Sequence, residues 1–526
     1  MKNYGVWLGA AAIIAGVGLH VPDYVMAAPD HFMMAGMAMG TPMSIGMSLI
    51  IGGLAVAGWS LISYGRAQKI EGAVSAADRF AAIDGAKLSR AHVVLAVLLT
   101  VGLVVDTMKP ASLGFVLPGM REEYGLSTAI VATFPLTALF GTVVGSLIWG
   151  YVADVIGRRS TIVFSSLLYV GTSICGFMPA FEWNLVMCFI MGASAGGMLP
   201  TVYALMSESV PSRYRGWLLV LQSGLGATLG YLVASGAAAA LVPLLSWRFL
   251  WVLNFPTGLL LLVLCVWIPE SPRFLLSIGR NAEAERVMRT YGIQLVSGVP
   301  GMKTAPAPVT PLVRRSFAGK IGGLLVPRYR WRTVAVLLYG LGWGLVNWGF
   351  VTFLPTFLAG SGMAASAPSM IFTASLLTVP ATGLAAFLYA RWSSRWSIIV
   401  YAMATVVVLA LFVVLRPEQW PTAGPLTAML TVLLIGAGGM IAMLSPYAAE
   451  IYPTALRGTG SGLVAAASKA GGLAGPLIVA ASPSLTTLAL AGLVPVALAA
   501  FAIWRTGIET AARPLVEAVD PVPATD

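Results

Sequence analysis

From residue 92 onward the chain alternates between apolar runs of about twenty residues and short polar breaks. A helix rising 1.5 Å per residue needs roughly 20 apolar residues to cross a bilayer core. Twelve such helices are predicted, at about 92–118, 128–151, 160–180, 184–207, 216–243, 247–268, 331–358, 367–390, 396–415, 426–448, 458–481 and 485–505. The runs are continuous rather than alternating, which argues against a closed barrel of strands. Two further apolar runs precede them, at about 4–27 and 43–64. The first also has the marks of a signal peptide: Lys2, an apolar stretch, then 26-MAA-28. Its apolar run is long, and the second run would then have to insert alone. Two extra spanning helices are the preferred reading.

Composition agrees with lipid as the solvent. The chain is 58% hydrophobic and only 10% charged, against roughly 25% charged in soluble proteins. Charge fixes the orientation. The one long polar connection, 269–330, is rich in arginine and lysine, and if it is cytoplasmic then Arg158/Arg159, Arg213/Arg215, Arg391/Arg395 and Arg457 share its side. Arg121, Arg248 and Arg416 fall outside that pattern. The same distribution over short loops explains the net charge of +11 without a nucleic-acid partner. The expected organisation is an N-terminal extension (1–89), a six-helix half (90–268), a cytoplasmic central loop (269–330), a second six-helix half (331–505) and a tail (506–526). Cys175, Cys188 and Cys265 sit inside apolar runs, with no disulfide or metal spacing.

The two halves repeat. The fourth run ends in 208-ESVPSRYRG-216 and the tenth in 450-EIYPTALRG-458, both E-x-x-P-x-x-x-R-G. Two six-helix halves around a midplane site form a transporter architecture. After the second run comes 150-GYVADVIGRRS-160, whose Gly150, Asp154, Gly157, Arg158 and Arg159 match the G-x-x-x-D-x-x-G-R-R signature. On these residues the chain resembles the major facilitator superfamily. The motif 269-PESPRFL-275 and the paired E-x-x-P-x-x-x-R-G ends resemble its sugar porters and its organic-ion, nicotinate-type and aromatic-acid:proton symporter branches, and the first core run, 105-VDTMKPASLGFVLPGMREEYGLS-127, looks more like the organic-ion and aromatic-acid branches. The resemblance covers about 90–505. It implies an all-α membrane protein with two six-helix bundles, here with two extra N-terminal helices, and a cytoplasmic latch at Asp154, Arg158 and Arg159. The corresponding stretch of the second half, 389-YARWSSRWS-397, keeps Arg391 and Arg395 but lacks the Gly and Asp, so latching is expected to be asymmetric.

Three charges lie deep within predicted spans. Asp106 is about 14 residues, roughly 21 Å, into the first core run, and Lys469 about 12 residues, roughly 18 Å, past Arg457. Lys109 follows Asp106 by three residues and sits on a neighbouring face. Intramembrane charges are functional by default. Asp106 is therefore the candidate proton carrier, and Lys469 the candidate anchor for an anionic substrate. Two plainer readings stay open: Asp106 and Lys109 neutralising each other within one helix, and Lys469 bonding to a backbone carbonyl or to Asp106. In the organic-ion branch, the resemblance implies, a basic residue before a glycine-rich segment of the eleventh core helix accompanies anions. Lys469 precedes Gly471, Gly472 and Pro476. In 339-YGLGWGLVNWGFVTFLP-355, Trp343, Asn347 and Phe350 recur at helical spacing and are expected to line a flat apolar site, with membrane packing as the alternative. Lys109, Tyr203, Thr201 and Gln222 are further substrate-binding candidates, while Glu208, Arg215, Glu450 and Arg457 suit gating ion pairs at the cytoplasmic ends.

Between the two extra helices lies 31-HFMMAGMAMGTPMSIGM-47. Thioethers suit Cu(I), but no Met, His or Cys pathway follows, so packing is the preferred reading and no metal or cofactor is assigned. There is no P-loop, zinc motif or nucleophile elbow on which to base an enzyme. The expectation is a monomeric secondary transporter in a bacterial inner membrane, importing a small organic anion, an aromatic or other monocarboxylate, with protons. Proton-coupled efflux and a non-transporting sensor of the same fold are the alternatives.

Overall fold

A computed structural model describes residues 4–66, 82–293, 317–363, 365–415, 423–452, 454–482 and 484–510. Among these residues every regular element is a helix, and thirteen helices are long and apolar enough to cross a membrane. It is a multi-pass membrane protein. The two N-terminal runs form helices Tyr4–Gly18 and Thr41–Arg66. Five of the first six core runs form spans of that length. The sixth, Phe249–Leu264, is shorter. Its first turn, Phe249–Val252, is separated from Asn254–Leu264, where Pro256 lacks the N–H that would continue the ladder. Six further spans follow from Arg330 to Thr506.

Spans one to six form one bundle and seven to twelve the other. Across the divide, span one faces seven, two faces eleven, and five faces eight and ten. The central connection is not wholly irregular: Pro272–Ser277, Asn281–Thr290 and Phe317–Leu325 are short helices. Met288 and Tyr291 fold back into an apolar cluster with Leu95 and Ile83 beneath the first bundle. Tyr291 stacks on His92 with ring centroids 4.5 Å apart.

The two N-terminal helices pair through close backbone contact. A Cβ added to Gly9 would lie 2.5 Å from the Gly53 carbonyl oxygen, and one on Gly16 would lie 2.6 Å from that of Gly46. Small residues allow such approach, which maximises dispersion contact where lipid supplies no hydrophobic drive. Among the described residues the pair packs on the first bundle, against spans two and three. The methionine-rich connection is anchored at its middle. The Met34 and Ala35 N–H groups donate to Glu123 Oε1 at 2.7 and 3.1 Å. Met34 and Met43 are buried in the apolar core, whereas Met33 and Met37 are exposed.

Glu123 is also the partner of Arg248, whose side chain is 0% exposed. Arg248 Nη2 lies 2.6 Å from Glu123 Oε1, and its Nη1 donates to the Gly176 and Met178 carbonyls at 3.0 and 3.1 Å. Trp247 Nε1 donates to Glu123 Oε2 at 2.9 Å. Breaking a buried ion pair strands a charge. Arg248→Met alone is expected to cost about 3–5 kcal/mol, and Arg248→Met with Glu123→Leu substantially less. Thermal unfolding of the detergent-solubilised variants checks this; equal loss in both would contradict it.

Candidate functional site

A cavity of about 290 Å³ lies between the bundles. Leu139, Val351, Ile441 and Leu444 give it apolar walls. Asp106 comes from span one, Tyr203 from four, Tyr231 from five, Trp343 and Asn347 from seven, and Lys469 from eleven. A few polar groups in an apolar recess is the usual make-up of a small-molecule site.

Asp106 is only 6% exposed. Its carboxyl has no hydrogen bond or ion pair among the described residues, and it lines the cavity. Lys109 does not pair with it. Its ammonium, 1% exposed, turns into the first bundle and donates to the Tyr169 carbonyl at 3.0 Å and to Thr172 Oγ1. It also sits 4.5 Å from the Tyr169 ring centroid. The Tyr169 hydroxyl lies 2.9 Å from the Val105 carbonyl oxygen and 2.8 Å from Asn254 Oδ1, which fixes the ring. Lys109 is thus satisfied without the carboxylate, and it is not a cavity residue.

Lys469 lines the cavity and is half-buried. It has no acidic partner among the described residues. Its Nζ donates across the divide to Ser146 Oγ of span two. A second bond between the bundles joins Thr228 and Thr382 Oγ1 atoms at 2.9 Å.

Span seven departs from α-helical spacing. Leu345–Val351 is a π-helical stretch, a rare geometry often found at functional sites. Its wider turn keeps Trp343, Asn347 and Val351 on the cavity face. Phe350, expected there from α-helical spacing, is 0% exposed and packs edge-on against Phe412 at 4.9 Å. Trp343 Nε1 donates to the Ala437 carbonyl at 3.0 Å. The Asn347 amide makes no hydrogen bond among the described residues, so it is available to a ligand. Tyr203 lines the cavity. Thr201 does not; its hydroxyl donates to the Gly197 carbonyl at 2.7 Å. Gln222 is 1% exposed and lies beside the cavity-lining Ser223, with neither amide atom partnered among the described residues.

The signature loop lies at one end of the first bundle. Gly157 has φ +96°, and a Cβ there would lie 2.4 Å from Glu270 Oε2. Glu270 caps the start of span three, accepting from the Arg158 N–H at 2.9 Å and from the Arg159 N–H at 3.2 Å. Burial pushes the Glu270 carboxyl up from its ordinary value, and these N–H bonds and the Arg158 charge pull it back. Arg158 pairs with Glu208 at 3.0 Å. Arg159 Nε donates to the Cys265 carbonyl at 3.2 Å. Arg215 pairs not with Glu208 but with Asp84, at 2.7 Å, and Arg273 reaches the same oxygen at 2.6 Å. Glu450 accepts from Tyr389 and Thr510 hydroxyls at 2.6 Å each. The side chains of Asp154 and Arg457, and the surroundings of Gly150, lie outside the described residues.

Sequence reasoning missed Ser146, Asp84, Glu270 as a cap, and Glu509. Glu509 accepts from the Ser394 N–H at 2.8 Å and caps span nine as Glu270 caps span three. A signal was present: Glu270-Ser271 and Glu509-Thr510 follow the last span of each half.

The profile of the Major Facilitator Superfamily matches residues 94–476. The niacin transporter NiaP of Acinetobacter baylyi is 25% identical over 410 residues, covering 76% of this chain and 90% of the relative. The 4-hydroxybenzoate transporter PcaK of the same organism is 26% identical over 439 residues, covering 82% and 94%. Among solved structures, the proton:xylose symporter XylE bound to 6-bromo-6-deoxy-D-glucose superposes with a TM-score of 0.61 at 17% identity, covering 82% of this chain and 98% of that one. This last likeness concerns the fold alone.

The two faces of span seven respond differently to truncation. Phe350→Ala should cost about 3–5 kcal/mol by leaving a core cavity, and Asn347→Ala no more than about 0.5 kcal/mol. Thermal unfolding of the two variants checks this, and the reverse order would overturn the facing given above.

Proposed function

This chain belongs to the Major Facilitator Superfamily and is a transporter, and we propose that it imports a small organic anion, an aromatic or other monocarboxylate, together with protons. The carrying observation is the cavity's pair of opposite charges on opposite bundles, neither held by an ion pair among the described residues. In lipid an unpaired charge is costly and is kept where it has work to do. On this reading Lys469 holds the carboxylate, while Trp343, Tyr203 and Val351 flank the ring and Asn347 bonds a polar substituent. The cavity is at the low end of the roughly 300–1,000 Å³ seen for ligand pockets, which suits a single-ring acid. Relatives named for niacin and 4-hydroxybenzoate support that class.

Asp106 takes the proton. Protonated, it adds no negative charge to a cavity that must admit an anion; ionised, it repels the carboxylate. Loading therefore favours the protonated acid, which couples the two cargoes. The bundles then rock about the site. The loop of Gly150, Asp154, Gly157, Arg158 and Arg159 latches one end, with Glu208, Arg215, Glu450 and Arg457 as gating charges. The clustered basic residues support an inner-membrane orientation with both ends of the core cytoplasmic, and the carrier works as a monomer. Efflux of organic cations is the second reading, favoured by the unpaired Asp106 carboxylate.

Counterflow in proteoliposomes separates the two, using labelled 4-hydroxybenzoate, nicotinate and an organic cation. Lys469→Ala should lower carboxylate exchange roughly 10- to 100-fold, as expected for losing a hydrogen bond to a charged group. Asp106→Asn should keep exchange and lose uptake driven by an inward proton gradient. Exchange of the cation alone, unaffected by Lys469→Ala, would move efflux to first place.

A further inference from the structure

Lys469 has two directions open to it. It lines the cavity, yet its Nζ bonds to Ser146, which is not a cavity residue. Thr142, one turn from Ser146, does line the cavity, so the contact sits just beyond the cavity's edge. Ser146 is set up as an acceptor. A serine hydroxyl has one proton and two lone pairs. Ser146 Oγ lies 2.8 Å from the Thr142 carbonyl oxygen and 3.0 Å from that of Gly196. Neither carbonyl can donate, so the serine proton goes to one of them and a lone pair is left for the lysine. Spans two and four are close enough for this because a Cβ on Gly196 would lie 2.4 Å from the Thr142 carbonyl oxygen. The ammonium of one bundle therefore rests on a hydroxyl that the other bundle holds fixed.

We propose that Ser146 parks Lys469 in the empty carrier, as a bond between the bundles that the incoming anion must break. This rests on the reading of Lys469 as the anion's counter-charge. A carboxylate makes a stronger, charge-assisted bond than a neutral hydroxyl, so it can win the lysine. Until it does, the parked lysine ties span two to span eleven and leaves no unpaired cation facing lipid or an empty cavity. Ser146 is thus a positioning residue that competes with the substrate. The competition sets the sign of its mutation: losing the hydroxyl strengthens anion binding, whereas losing a substrate-binding residue would weaken it.

The test uses the full chain in liposomes, with spin labels on Arg213→Cys and Trp392→Cys, exposed positions at the same end of the two bundles. The native cysteines are buried. Without ligand, Ser146→Ala should lower the ratio of the parental distance peak to the remaining population about tenfold, the scale of a hydrogen bond to a charged group. Lys469→Met should do the same, and the double variant should add nothing further. Ser146→Thr, which keeps the hydroxyl, should restore the parental distribution. Binding of 4-hydroxybenzoate should tighten about tenfold in Ser146→Ala. An unchanged distance distribution in Ser146→Ala, or unchanged or weaker binding, overturns the proposal. The reading beneath it fails separately: if Lys469→Met binds 4-hydroxybenzoate like the parent while Ser146→Ala still moves the labels, the bond between bundles stands and the lysine is not the anion's partner.

Discussion

A polar group inside a bilayer has no water to fall back on, and everything else in this structure follows from where each such group finds a partner. Arg248 is satisfied by Glu123 and two carbonyls. Lys109 is satisfied by a carbonyl, a hydroxyl and an aromatic face. These charges hold the first bundle together and take no part in the cavity. Asp106 and Asn347 are different, because among the described residues nothing bonds to their side chains and both line the space between the bundles. Lys469 is intermediate, held by one neutral hydroxyl from the opposite bundle. The difference between the polar groups that hold the first bundle and those that face the cavity is one of satisfaction rather than of depth or residue type.

The same accounting relates the two halves and shows where they differ. In each, a glutamate just past the last span caps the third helix of its own half: Glu270 on Arg158 and Glu509 on Ser394. A carboxylate there meets the positive end of a helix dipole and orphan N–H donors. The conserved geometry sits on unlike sequences, since the second half lacks the Gly and Asp of the signature loop. Among the described residues, the N-terminal additions contact the first half. At one end the methionine-rich connection is tied to Glu123. At the other, Asp84 from the segment leading into the core is gripped by Arg215 and Arg273. The N-terminal extension thus contacts both ends of one bundle and is built as part of that half.

Length and apolar continuity determined the spans, because a bilayer imposes a minimum helix length that composition alone reveals. The repeat of E-x-x-P-x-x-x-R-G marked the two halves, and the rarity of charge in lipid singled out Asp106 and Lys469. Which way a side chain points within a span was not legible. Phe350 is in the core because a π-helical stretch widens the turn, and periodicity reasoning assumes 3.6 residues per turn. Lys109 turned inward because Tyr169 and Thr172, sixty residues away in sequence, offered acceptors. Arg215 took Asp84 rather than Glu208, Ser146 met Lys469, and Glu509 reached Ser394 through approaches between distant segments. Local pattern determines that a residue is in the membrane. Only packing, which brings remote segments within hydrogen-bonding reach, decides what it meets there.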